Sequence, residues 1–298
     1  MQEALVAFDE HLRRVRGVCA GTRRNYARFA GAFLQAVFPD GLVVVERVGV
    51  NDVIDFVAAA ARRYRPATVE LAATSLRSLF RFWRVTGLRT DRLEDAVPMV
   101  PHRRGGLVRH LDPDAVERLI ASLDAASPRG LRDRAIILCL ARLGLRASEI
   151  TRLRLDDLDW RNAVVRVRAR KTGHGALLPL TGEVGAALAD YLQHGRPDTT
   201  ARQVFVLHRL RAGAPISDNI VSRAVDNALR RAGMAAPIRG ANLMRHSLAT
   251  GLLARGAGLR EIADLLGHRS LATTRIYAAV DVVALREVAL PWPRTRTS

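Results

Sequence analysis

Apolar residues recur at spacings of three and four through "ALVAFDEHLRRVRG", "TRRNYARFAGAFLQAVF" and "TVELAATSLRSLFRFWRVTG", the period of amphipathic helices. Gly17, Gly21, Pro39, Gly41 and Pro66 interrupt it, and Thr22 and Thr68 stand where N-caps belong. A bundle of about four helices from Ala4 to Gly87 is expected. The period then fails in "VPMVPHRRGGLVRHLDPDAV", where prolines, a Gly-Gly pair and basic residues read as a linker between domains. The predicted organisation is a helical domain over 1–97, a basic linker over 98–110 and a second domain over 111–298.

In the second domain "DPDAVERLIASL" and "LRDRAIILCLARLGLRASEITRL" return to the helical period. "AVVRVRAR" alternates with period two, and "GALLPL" follows as its hairpin partner. Further helical segments are "ISDNIVSRAVDNALRRAG", "ANLMRHSLATGLLARG" and "LREIADLLG", before a closing "LATTRIYAAV". The fold class expected is mainly α with a small β-sheet or hairpin. "LDDLDW" reads as a solvated turn ahead of the first strand.

Composition narrows the partners. The chain has 298 residues, 49% of them hydrophobic, enough for two domains with cores of their own. No apolar run reaches the roughly 18 residues that span a bilayer, and Glu3, Asp9 and Glu10 do not suit a signal peptide, so a cytoplasmic, nucleoid-associated protein is expected. Cys19 and Cys139 stand far apart, which suggests neither disulfide nor zinc site; both are expected as buried small hydrophobes. The net charge is +18, and 98–298 hold 32 basic against 18 acidic residues. Such an excess favours a polyanion, and charge alone does not choose between nucleic acid and an anionic membrane. The charged segments are amphipathic at globular helix length with interspersed acids, which favours nucleic acid, double-stranded DNA or RNA, whose phosphates arginine contacts independently of sequence.

Of the 47 basic residues, 46 are arginine and one, Lys171 in "RKTGHGALLPL", is lysine. Base-composition drift could leave one survivor by accident. Chemistry offers another reason: arginine stays protonated, whereas lysine can hand over a proton and act as a general acid. Lys171 precedes Thr172-Gly173, a plausible turn at a hairpin tip.

Four pieces of the second domain now line up: "LGLRASEI" with Arg146, "RKTGHGALLPL" with Lys171, "NLMRHSLAT" with Asn242 and Arg245, and "LLGHRSLATTRIY" with His268 and Tyr277. "GLR" followed by "SE" is weak alone. Jointly, ending in Gly267-His268 with tyrosine nine residues after the histidine, the four are specific. Their order and spacing resemble the tyrosine recombinase (phage integrase, Xer-like) family over nearly the whole chain. The resemblance implies an N-terminal core-binding, SAM-like domain and a mixed α/β catalytic domain that close as a C-shaped clamp on DNA. It also implies a site-specific recombinase that cleaves and rejoins strands through a 3′-phosphotyrosine without metal or cofactor.

By that resemblance Arg146 and Arg245 hold the scissile phosphate, whose charge grows as a nucleophile enters. The leucines around Arg245 make it an arginine in want of a buried anionic partner. Tyr277 is the nucleophile, Lys171 protonates the leaving 5′ oxygen, and His268 hydrogen-bonds the phosphate. Glu149 orients an arginine. The family usually has histidine where this chain has Asn242, and an amide cannot take a proton from the tyrosine. His246, one residue after Arg245, points about 100° away on a helix.

The resemblance further implies a homo-oligomer, a dimer on a site and a tetramer in synapsis. The apolar tail residues Val282, Val283, Leu285, Val288 and Leu290 suggest docking on a neighbouring subunit. Three readings stand beside strand exchange: a DNA-binding protein that lost its chemistry, a type IB topoisomerase-like activity, and a metal-dependent transposase built on Asp156, Asp157 and Asp159. The retained Lys171 and Tyr277 argue against the first, and the crowding of the three aspartates against the last.

Overall fold

A computed structural model describes residues 1–100, 109–168, 175–236 and 238–267. Its chain divides into two compact units, Met1–Arg104 and Gly105–Ser298. Among the described residues no helix is long and apolar enough to cross a membrane.

The first unit packs four helices, α1 (Gln2–Arg14), α2 (Ala20–Val37), α3 (Val50–Arg63) and α4 (Pro66–Val85). Each turns one stripe inward, so Phe8, Phe33, Val53, Leu76, Phe80 and Trp83 meet in one core. Beyond α4 the chain is tied down by arginine: Arg89 Nη1 donates to the carbonyls of Val45 (2.9 Å) and Val48 (2.6 Å), and Arg84 pairs with the buried Glu94 (2.9 Å). Two helix starts differ from expectation. Cys19 rather than Thr22 is the N-cap of α2, and Arg65 rather than Thr68 that of α4. Pro66 explains the second, since its fixed φ and missing N–H suit the first helical position. Cys19 is exposed, a correction to its expected burial, because a cap lies outside the inward stripe; Cys139 is buried, and burial pushes its thiol up to about 12.

The second unit is arranged around α6 (Pro128–Leu143). Ile136, Ile137, Leu138, Cys139 and Leu140 are all fully buried, so this helix is covered on every side. Ser127 caps it, accepting from Gly130 N at 3.0 Å, and Asp112 caps α5 (Pro113–Ala121), accepting from Ala115 N at 2.7 Å. A three-stranded antiparallel sheet, β1 (Leu158–Asp159), β2 (Val164–Val167) and β3 (Ala176–Pro179), runs in the order β1-β2-β3, with Val165 opposite Leu158 and Leu178. "GALLPL" thus supplies the partner of the alternating strand.

Two features depart from the pattern reading. "LRDRAIILCLARLGLRASEITRL" is not continuous: α6 ends at Leu143, Gly144 turns left-handed (φ 62°), and α7 (Ala147–Arg152) starts afresh. The segment "GEVGAALAD", given no element by periodicity, is α8 (Gly182–Asp190), which runs into a π-turn over Tyr191–Gly195. Among the described residues the remaining α-helices are α9 (Asp218–Arg231), α10 (Asn242–Ala254) and α11 (Leu259–Leu266).

Asp157 corrects the reading of "LDDLDW" as solvated. Its side chain is buried, one oxygen accepting from Arg154 N (2.9 Å) and the other pairing with Arg168 Nε (2.5 Å). It closes the turn into the sheet as a cap, a structural duty that weighs against a metal-binding trio with Asp156 and Asp159.

Candidate active site

The break at Gly144 places Arg146. With the helix stopped, Arg146 becomes the N-cap of α7, and Glu149, three residues on, reaches back to it twice. One carboxylate oxygen accepts from Arg146 N (2.9 Å) and the other from Arg146 Nη1 (2.8 Å). Glu149 is buried and the arginine half-buried, so the backbone and the guanidinium are fixed by one carboxylate. Arg146 Nη2 then donates to the carbonyl of Gly267, 3.1 Å away.

Arg245 arrives from the opposite direction. It lies in the first turn of α10 and is only 5% exposed. Its Nη1 donates to the carbonyl of Gly144 and its Nη2 to that of Leu266. Both acceptors are backbone carbonyls at helix ends, which carry partial negative charge that suits a guanidinium. Gly144 belongs to the same cluster: a Cβ there would fall 2.7 Å from Leu266 Cδ2 and 3.0 Å from Leu248 Cδ2.

Arg146 and Arg245, 99 positions apart, therefore meet at the C-terminal end of α11. The helix stops there because Gly267 takes a left-handed conformation (φ 61°), and the next residue is His268. Asn242 opens α10 on its exposed side, one turn ahead of Arg245. His268, Tyr277, Lys171 and the apolar tail lie outside the described residues. The structure thus brings together Arg146, Glu149 and Arg245.

Ser247, which sequence reasoning passed over, fastens α10. Ser247 Oγ accepts from Leu111 N (2.9 Å) and donates to Leu243 O (2.9 Å), a buried tie between residues far apart in sequence. His246 is held below the ordinary histidine range, first by burial and then by the charges of Arg245 and His110, so it is neutral at pH 7. Gly267 before His268 reads from the sequence as a helix C-cap, and it is one; Gly144 was visible inside a quoted motif, and only its left-handed backbone reveals what it does.

A helical first unit, a second unit in which two arginines meet at the end of one helix, and a net charge of +18 define the class, a two-domain protein suited to a polyanion. Comparison with known proteins makes it specific. The Phage integrase family model matches residues 109–283, and the Phage integrase, N-terminal SAM-like domain model matches 5–86. Tyrosine recombinase XerD of Mycobacterium tuberculosis is 35% identical over 312 residues, covering 98% of each chain. Among solved structures, XerH site-specific recombinase bound to palindromic difH substrate, a post-cleavage complex, superposes with a TM-score of 0.73 at 19% identity, over 94% of this chain and 83% of that one. A lambda integrase dimer bound to a COC′ core site gives 0.69 at 16% identity, over 100% and 99%. At those identities the likeness is one of fold. The chain belongs to the phage integrase family, as a site-specific DNA recombinase of the tyrosine type.

Proposed function

We propose that the chain cuts and rejoins DNA through a covalent 3′-phosphotyrosine formed by Tyr277. The Tyr277 oxygen attacks the scissile phosphorus, the bond to the 5′ oxygen breaks, and the phenol proton leaves to water. Lys171 gives a proton to the departing 5′ oxygen, so charge does not build up on it. Arg146 and Arg245 stabilise the phosphate as negative charge grows on its oxygens, with His268 donating to it and Glu149 holding Arg146 in place. Asn242 donates a hydrogen bond but takes no proton, which leaves the phenol without a neighbouring base at that position.

One observation carries the reading. Arg146 and Arg245 converge on the carbonyls of Leu266 and Gly267, directly ahead of the segment that holds His268 and Tyr277. The chain bearing the nucleophile thus leaves from the point where the positive charge is gathered. The +18 net charge supports DNA as the partner. The dimer on a core site seen for lambda integrase supports assembly as a dimer on a site; pairing of two such dimers gives the tetramer of synapsis. A cytoplasmic, nucleoid-associated location accords with that partner.

The test is an SDS-resistant protein–DNA adduct on nicked, site-bearing DNA in EDTA. Wild type is expected to form it and Tyr277→Phe to form none. An adduct that persists in Tyr277→Phe overturns the assignment of the nucleophile, and one abolished by EDTA overturns the metal-free chemistry.

A further inference from the structure

The segment from Leu207 to Ala214 is a hairpin. Leu207 N donates to Ala214 O (2.8 Å), Gly213 N donates to Leu207 O (2.8 Å), and Val206 bridges Pro215 below them. Its tip is Arg209, Leu210 and Arg211, all exposed, with Leu210 at 92%. Leu210 and Arg211 also hold left-handed φ values of 45° and 68°. Turns of that shape favour glycine and asparagine. A leucine here is strained and wet at once, and among the described residues no packing accounts for it.

The base of the hairpin is rigid. His208 sits between Arg132 Nη1 (3.3 Å) and the carbonyl of Gly195 (2.9 Å); the arginine only donates, so Nδ1 accepts and Nε2–H donates. Thr199 Oγ1 donates to Gly213 O (2.9 Å), and at Gly213 (φ 83°) a Cβ would come within 2.8 Å of Thr199 Cβ. A stiff base carrying a strained, unburied tip is the form of a part made to touch something.

Charge says what it touches. From Thr199 to Ser217 the sequence holds three arginines and no aspartate or glutamate. Arg202 is paired with Asp156, which leaves the excess positive charge of the segment at the tip, on Arg209 and Arg211. The hairpin leads directly into α9, whose Asp218 accepts from Thr151 of α7 (3.1 Å), so it belongs to the same unit as Arg146. Arg132, at its base, lies eleven residues before the end of α6, about 17 Å along the axis or on the order of five base-pair steps.

We propose that Arg209, Leu210 and Arg211 form a finger that grips DNA away from the cleaved bond. The two arginines pair with phosphates, and Leu210 lies against the sugars and base edges between them, as apolar wedges do in a minor groove. The proposal rests on the reading of the chain as a DNA recombinase. Its effect falls on affinity and register, since the finger is based on Arg132, about 17 Å along α6 from the helix end that leads to Arg146.

The experiment measures binding of the full chain to a fluorescein-labelled DNA duplex of arbitrary sequence across a salt series. Replacing two phosphate contacts should lower the slope of log K against log salt by about 1.8 in the variant Arg209→Gln with Arg211→Gln. Arg209→Lys with Arg211→Lys should keep the slope. Leu210→Asn should bind more weakly yet melt at a higher temperature, because asparagine accepts the left-handed turn. An unchanged slope in the glutamine pair overturns the finger and hands the tip to a protein partner. Binding by Leu210→Asn equal to wild type removes Leu210 from the contact. A wild-type chain that shows no salt-dependent binding would sink the recombinase reading itself, a result distinct from either.

Discussion

Gly144→Ala tests whether the site depends on the meeting of three chain segments. The added Cβ would lie 2.7 Å from Leu266 Cδ2, closer than carbon atoms tolerate, and a tight 3.0 Å from Leu248 Cδ2. Leu266 is fully buried, so it has little room to swing away. A left-handed φ costs an alanine about 1–2 kcal/mol, and overpacking of this kind about 1–3 kcal/mol more. The sum, about 2–5 kcal/mol, lies below the stability of most domains, so a folded but displaced site is expected. Displacement matters because Gly144 O and Leu266 O both accept from Arg245. A shift near 1 Å at such a site costs on the order of 100-fold in rate. Urea denaturation should show the loss of stability, and the adduct assay a rate fall of about 10–100-fold with DNA affinity little changed. Gly144→Asn separates the two causes, since asparagine tolerates the left-handed turn but still meets Leu266. Stability and adduct rate both unchanged in Gly144→Ala would refute the argument that this contact sets the arginines.

Lys171→Arg is expected to keep DNA affinity but slow cleavage at least tenfold, and a 5′-phosphorothiolate substrate, whose leaving group needs no proton, should restore parity with wild type. Asn242→His should raise the cleavage rate and introduce a pH dependence near 6–7, read from adduct formation across a pH series. His208 is held below its ordinary value of 6.5, mainly by burial and further by Arg132, although its bond to Gly195 opposes this. Its folded pKa being the lower, the unfolded chain takes up the proton first. The associated stability is therefore present above pH 6.5 and lost as pH falls through the depressed value. Denaturant midpoints for His208→Gln should vary less than wild type between pH 6.5 and 5.

Much of the architecture was legible because its cause is local. Helices α1, α2 and α4 and the strand pair β2–β3 follow from apolar periods of 3.6 and 2, which any segment displays whatever surrounds it. The motif order that pointed to the family is likewise a property of the chain, and no folding is needed to see the lone Lys171 among 46 arginines. Tertiary structure decided what depends on partners distant in sequence. Apolar residues run across Gly144 without a break, so periodicity joined α6 to α7; the left-handed turn is shaped by Leu266 and Leu248, more than 100 positions away. "GEVGAALAD" is short and rich in glycine and alanine, too weak a stripe to announce α8 before Val184 and Leu188 found the core. Asp157 reads as solvent-facing until Arg168 comes round the sheet to cover it. Arg245 shows the same division: its leucine neighbours in sequence foretold burial, but the oxygens of Gly144 and Leu266 that accept from it are backbone atoms, which every residue has, and only folding selects which of them a side chain will meet.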